Sequence, residues 1–339
     1  MISIVVPTVG RPSLAAVIAS LGELPPGVEL IVVDDRPAPH PPLAIDATVV
    51  AGPARGPAAA RNAGWRAARG DWIAFLDDDV VPDSDWIMRL AGDLDAAGDD
   101  VGGVQGELRV PLPSDRRPTD WERVTAGLAD GAWITADMAY RRAALERTGG
   151  FDERLPRAFR EDADLAYRVR LDGWSLIRGR RRVTHPVRPE SAWVSVRTQR
   201  GNADDALLRR LYGPRWRELL EIPPGRRARH VVVTLAGAVA LAAWGISRTR
   251  HARSGRSGAV TASAGVAAAA GLAWLAGTAE FAAARIAPGP RTPHEVATML
   301  VTSAVIPPVA VTHWLRGAWR WRKAAPLAAR KDAPVGASR

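Results

Sequence analysis

The sequence predicts an α/β domain followed by an all-helical hydrophobic region, and three observations lead there. Short apolar runs alternate with amphipathic stretches through the first half of the 339 residues, the pattern of βα units around a parallel sheet. The presumed strands end in polar or special residues, Pro7-Thr8, Asp34-Asp35 and Asp77-Asp78-Asp79, at the edge where open α/β sheets collect ligands. After Gly225 the composition turns to Ala, Val, Gly and Leu.

Strands are expected at 2–6, 29–33, 47–50, 72–76 and 101–109, where β-branched and aromatic residues run between turn signals. Helices are expected at 13–21, 58–69 and 84–97, with Pro57 in a first helical turn and Asp83 or Ser84 as a cap. Pro111, Pro113 and Pro118 loosen the pattern over 111–131, which reads as a connecting loop or lid. An apolar segment near 132–140, a helix near 142–148, the turn Gly149-Gly150-Phe151-Asp152-Glu153 and a helix at 161–173 follow. Gly173-Trp174 ends that helix.

An apolar content of 47% excludes a mostly disordered chain, and the absence of cysteine excludes disulfides, zinc-thiolate sites and thiol nucleophiles. The net charge of +10 is unevenly spread: from Arg226 onward 16 Lys and Arg face Glu280, Glu295 and Asp332, a surplus of 13, which leaves residues 1–225 at −3. These cations flank apolar stretches instead of interleaving with stacking aromatics, which favours anionic lipid over nucleic acid. Candidate spans are 230–247, 259–279 and 296–315, each near the roughly 20 residues that cross a bilayer. The second is rich in Ala and Gly, and the third carries Pro307-Pro308, expected to break or kink it. A soluble Ala-rich bundle is the alternative. Three spans would put Arg248, Arg250, Arg253 and Arg256 on the far side, against the positive-inside rule, whereas an interfacial or re-entrant hairpin would not. Met1 leads straight into Ile2-Ser3-Ile4-Val5-Val6 with no basic leader, so the first domain is expected in the cytosol and the chain at the cell membrane. The boundaries expected are 1–222 for the α/β domain, 223–323 for the hydrophobic region and 324–339 for a basic flexible tail.

Asp77, Asp78 and Asp79 close an apolar run. Adjacent carboxylates repel one another, and a divalent cation or a polyhydroxylated ligand relieves that repulsion. A solvated turn or helix cap is the plainer reading.

In order and spacing, Ile2-Ser3-Ile4-Val5-Val6-Pro7-Thr8, Ile31-Val32-Val33-Asp34-Asp35, Gly56-Pro57-Ala58-Ala59-Ala60-Arg61-Asn62-Ala63-Gly64, Phe75-Leu76-Asp77-Asp78-Asp79, Gly149-Gly150-Phe151-Asp152-Glu153 and Arg160-Glu161-Asp162-Ala163-Asp164-Leu165-Ala166-Tyr167-Arg168 make the first two thirds of the chain resemble a family 2 glycosyltransferase with the GT-A fold, of the membrane-associated bacterial type. The resemblance implies a metal-dependent, inverting transfer from a nucleotide-sugar donor to a hydroxyl acceptor, with Mg2+ or Mn2+ neutralising the departing diphosphate. Its DxD motif falls on Asp77 and Asp79, with Asp79 the first choice as direct ligand and Asp78 a candidate for a ribose hydroxyl; a run of three leaves the register open by one residue. Asp35 is the candidate for the nucleotide base, and Asp34 for the same role or an Asx turn. Pro7 and Thr8 would line the base and ribose.

Arg61 and Asn62 would face the diphosphate near a helix N-terminus, with a solvated helix face as the alternative. Asp162 is the proposed catalytic base, Glu161 its rival, and Asp164 belongs to the hydrogen bonding of the helix. Gly150, Asp152 and Glu153 would lie near the acceptor or be structural. Asp137 stands where relatives often carry a small or amide residue, which puts acceptor contacts there in doubt. His185 is a candidate third metal ligand or a structural histidine. Residues 197–202 resemble a segment that closes over the donor in membrane-bound relatives, and no Gln-x-x-Arg-Trp signature points to a processive synthase.

The expected acceptor is a lipid-linked sugar, glycolipid or cell-envelope glycan precursor. A sugar-phosphate nucleotidyltransferase is the runner-up, although Thr8-Val9-Gly10-Arg11-Pro12 lacks its glycine-rich phosphate loop. A catalytically silent membrane scaffold is the other alternative.

Overall fold

The computed structural model describes residues 1–254 and 257–327. Arg256 and residues 328–339 of the expected tail lie outside the described residues.

The chain runs β1 (Ile2–Thr8), α1 (Ser13–Leu21), β2 (Val28–Asp34), β3 (Thr48–Ala51), α2 (Pro57–Ala67) and β4 (Trp72–Leu76). They are followed by β5 (Val81–Pro82), α3 (Trp86–Asp95), β6 (Val101–Arg109), α4 (Asp120–Ala126), β7 (Asp137–Arg141), α5 (Arg142–Thr148), α6 (Glu161–Leu171) and β8 (Ser175–Thr184). Eight strands form one sheet in the order β3-β2-β1-β4-β7-β6-β8-β5. β1 to β4 pair in parallel, and Thr8 sits beside Asp34, which sits beside Ala51. β7 runs antiparallel to β4 with Asp137 opposite Leu76, so its first residue joins the same edge.

Alternation along the strands divides the core between two faces. Ile4, Val6, Val32 and Leu76 pack under α1 and α3, whereas Val5, Val33, Ile73 and Phe75 pack under α2, α5 and α6. Contact with α2 is close because Gly64 lies on the sheet: a Cβ there would stand 2.3 Å from Val5 and 2.8 Å from Val33. This approach fixes the height at which Arg61, three residues earlier, meets the strand ends.

Most expected elements are present, with shorter ends at α2 and α3. The 111–131 stretch holds a helix, α4, which begins with a capping box in which Thr119 accepts from the Glu122 N–H and Glu122 accepts from the Thr119 N–H. The doubt over Asp137 has a structural answer. Asp137 is buried, accepting from Arg181 Nε at 2.7 Å and Trp86 Nε1 at 2.8 Å, and Arg181 also reaches Asp93 and the Val104 carbonyl. It is a strut between β7, β8 and α3.

Beyond β8 lie α7 (Val194–Arg197), a 3-10 turn (Thr198–Gly201), α8 (Asn202–Tyr212) and α9 (Trp216–Leu219). Then come three long helices, α10 (Arg227–Ser254), α11 (Ser257–Ile286) and α12 (Pro293–Arg320), each long and apolar enough to cross a membrane. α10 and α11 form an antiparallel pair with Gly237 against Trp274 and Gly277 against Val233. Pro307 and Pro308 do not break α12, which continues through them to Arg320.

Candidate active site

Arg61 organises the sheet edge. Its Nη2 donates to Asp77 Oδ1 and its Nη1 to Glu161 Oε1, both at 2.7 Å, and the guanidinium is 2% exposed. One cation thus ties the end of β4 to the start of α6. Burial disfavours its charge, yet the carboxylates of Asp77 and Glu161 win and hold Arg61 above its ordinary range. Removing the guanidinium while keeping bulk, as in Arg61→Met, leaves two carboxylates without their partner. The expected loss is about 3–5 kcal/mol, read as a lower urea midpoint at unchanged slope.

Glu161 is spent on structure: Oε1 takes Arg61 and Oε2 takes the Phe159 N–H at 2.6 Å. Burial first, then the Asp162 charge, push its carboxyl up. Asp162 accepts the Ala163 N–H at Oδ1, 2.7 Å, and its Oδ2 carries no protein hydrogen bond among the described residues. Burial raises its carboxyl, and Asp77 adds to the rise, while the Ala163 N–H and Arg61 act downward. A raised carboxylate with an open oxygen is suited to accept a proton.

The acidic triplet does not converge. Asp77 turns to Arg61; Asp78, 1% exposed, accepts from Thr8 Oγ1 at 2.6 Å and pairs with Arg11; Asp79 faces His185 and Arg188. Among the described residues no group of three or more acidic and histidine side chains is gathered to hold a metal. Asp77, expected with Asp79 among the metal ligands, is an Arg61 partner in this structure through Oδ1. Asp78, expected at a ribose, is closed into the Thr8–Arg11 pair.

Asp79 and His185 remain, and their chemistry fits a cation. His185 Nδ1 lies 3.1 Å from the Pro186 carbonyl, an acceptor only, so that in a neutral ring Nδ1 holds the proton and Nε2 is the nitrogen left to ligate. That nitrogen stands 3.7 Å from Asp79 Oδ1, and Arg188 Nε lies 3.2 Å from Oδ2. Burial and the neighbouring Asp77 raise the Asp79 carboxyl, so positive charge placed there is favoured. One carboxylate and one imidazole, completed by phosphate and water, suit a small hard cation.

The remaining residues divide. Asp35 accepts from Ala54 N at 2.7 Å and Gly56 N at 3.2 Å, shaping the loop into α2, and burial raises its carboxyl. Asp34 takes its Asx-turn alternative, accepting from the Arg36 backbone and pairing with its guanidinium at 2.6 Å. Thr8 faces Asp78, and Pro7 lies one residue earlier on β1. Asn62 does not face the edge: it is buried, donating to the Phe151 carbonyl and accepting from the Phe151 N–H and Trp65 Nε1, all at 2.9 Å. Gly150 must be glycine, because a Cβ would stand 2.5 Å from the Asn62 oxygen. Asp152 pairs with Arg154, which overcomes burial and holds its carboxyl low. Glu153 pairs with Arg55 and Asn62. This turn is a brace on α2.

Arg11, Arg36 and Arg188 escaped the sequence reading, as a lone arginine in a loop carries no signal of its partner. Trp121 Nε1 donates to the Arg188 carbonyl at 3.0 Å, so α4 touches the segment flanking Asp79.

Residues 3–146 match the family model described as Glycosyl transferase family 2. A pre-mycofactocin glycosyltransferase of Mycobacterium tuberculosis (strain ATCC 25618 / H37Rv) is 33% identical over 126 residues, 34% of this chain and 26% of that protein. The succinoglycan biosynthesis protein ExoO of Rhizobium meliloti (strain 1021) is 42% identical over 78 residues, 21% of this chain and 22% of that protein. The matched stretches thus span about a quarter of the length of these curated relatives. Among solved structures, glucosyl-3-phosphoglycerate synthase from Mycobacterium tuberculosis is 20% identical over 66% of this chain and 80% of that chain, with a TM-score of 0.44. Over residues 3–146, 144 of its 339, the chain is similar to glycosyl transferase family 2.

Proposed function

We propose that this protein is a metal-dependent, inverting glycosyltransferase that moves a sugar from a nucleotide-sugar to a hydroxyl of a glycan or lipid-linked acceptor at the membrane. The observation that carries the reading is the Arg61 bridge, which sets the open oxygen of Asp162 within electrostatic range of Asp77 at the strand ends.

Asp79 and His185 would hold Mg2+ or Mn2+, which when bound neutralises the charge gathering on the departing diphosphate. Thr8 ends β1 and Asp35 follows β2, at the strand edge where a nucleoside would rest. Asp162 Oδ2 would take the acceptor hydroxyl proton as that oxygen attacks the anomeric carbon opposite the leaving group, which inverts the configuration. Glu161, with both oxygens engaged, orients Arg61. The Arg-rich helix ends and the exposed Leu, Val and Trp side chains of α10 and α11 support attachment to a bilayer bearing anionic lipid, with the catalytic domain on the cytoplasmic side.

The test is release of nucleoside diphosphate from a panel of nucleotide-sugars, with and without Mn2+, and the anomeric configuration of any product by NMR. Metal-stimulated release with inversion is expected; no stimulated release from any donor contradicts the reading. Because Asp162 must be ionised and its carboxyl is raised, kcat/KM is expected to climb with pH through a limb above the ordinary carboxylate range. A profile flat from pH 4 upward would count against Asp162 as the base.

A further inference from the structure

We propose that α12 is an interfacial strap lying along the bilayer surface beneath the catalytic domain, and not a third crossing, so that residues 321–327 stay on the catalytic domain's side. The proposal rests on the membrane attachment above.

Both ends of α12 touch the same soluble domain. Near its start, Glu295 accepts the Asp120 N–H of α4 at 2.8 Å. Near its end, Gly317 lies so close to α8 that a Cβ would stand 2.5 Å from the Ala203 carbonyl oxygen. Just beyond, Trp321 and Ala324 join the cluster of Leu211 and Trp216, and the Leu327 N–H donates to the Leu211 carbonyl at 3.0 Å. A helix of 28 residues is about 42 Å long, more than the roughly 30 Å of hydrocarbon in a bilayer. Crossing would place its ends on opposite sides of the membrane, where one domain cannot hold both.

The hairpin supplies the second argument. α12 meets α10 and α11 at their base: Arg285 donates to Thr302 and Ser303 at 2.8 and 3.1 Å, and Arg227 lies over the Trp314 ring. The apolar part of the α10 arm, residues 234–247, extends about 21 Å at 1.5 Å per residue, and Arg248, Arg250 and Arg253 follow it.

The face of α12 turned from the protein is apolar, with Leu300, Val301, Leu315 and Trp319 exposed while Met299, Ile306 and Ala310 are buried. Arg316, Arg320, Arg322 and Lys323 then bring cations level with the headgroups. An apolar face, an interfacial tryptophan and a basic end are what an anionic leaflet binds.

The natural chain has no cysteine, so single-cysteine variants of the full protein report topology directly. Ser114→Cys marks the catalytic domain and Lys323→Cys the residue beyond α12, each probed with a membrane-impermeant maleimide in sealed inside-out and right-side-out vesicles. Both positions are expected to label from the same face. Labelling from opposite faces overturns the strap. Should carbonate washing release the chain instead, the membrane attachment itself fails. A fluorophore on Thr312→Cys, about two thirds of the way along α12, is expected to be quenched more by shallow than by deep spin-labelled lipid; the reverse order means a crossing.

Discussion

Replacing Asp162 by Asn is expected to leave donor binding intact while slowing sugar transfer by about 10²–10⁴-fold, the range associated with a positioned general base. The side chain keeps its size and can still accept the Ala163 N–H, so the start of α6 retains its geometry. What is lost is a carboxylate oxygen able to take a proton. The acid limb of the pH profile should vanish with it. Glu161→Gln separates the two neighbours by another readout: an amide at the Arg61 bridge weakens a buried charge pair, so a lower urea midpoint is expected with the acid limb retained. If Glu161→Gln removes the limb and Asp162→Asn keeps it, the roles are reversed.

Replacing Asp79 by Ala is expected to weaken binding of Mn2+ by at least about 100-fold, since disturbing even the groups behind a metal ligand costs about 10–100-fold. Electron paramagnetic resonance of Mn2+ in the presence of a nucleoside diphosphate reads this directly. Arg188 then loses its carboxylate partner, and the lone pair of His185 remains as the single protein donor of the pair. His185→Ala should fall between the wild type and Asp79→Ala, because the anionic oxygen contributes more than a neutral imidazole to a hard cation. Asp77→Asn should act on stability through Arg61 and spare Mn2+ binding; equal loss of Mn2+ in the Asp77 and Asp79 variants would restore a converging triplet.

The parallel half of the sheet was legible because its strands are buried on both faces and read as unbroken apolar runs, as at Trp72–Leu76. Thr8, Asp34 and Asp77 could be placed at one edge for the same reason: register follows from strand length. Side-chain direction was not legible. Asp77, Asp78 and Asp79 lie beyond the end of β4, with Asp78 and Asp79 in a turn, where no strand alternation sets direction, and the locations of Arg61, Arg11 and His185 decide where each carboxylate turns. Asn62 was misjudged because its poor helix propensity signals compensation without naming the partner, here the backbone of Phe151. In the hydrophobic region, composition reports length and apolarity alike for a span and for a helix laid on a surface. Contacts such as Glu295 with Asp120 distinguish them, and they join residues 175 positions apart.

Calorimetric titration of nucleoside diphosphates into the wild type, Asp79→Ala and Asp162→Asn, with Mn2+ and again with EDTA, tests the division of labour at the sheet edge most directly. The wild type and Asp162→Asn should bind one of them alike in Mn2+ and weakly in EDTA, while Asp79→Ala binds weakly in both. Tight, Mn2+-dependent binding by Asp79→Ala, or loss of binding by Asp162→Asn, would contradict it.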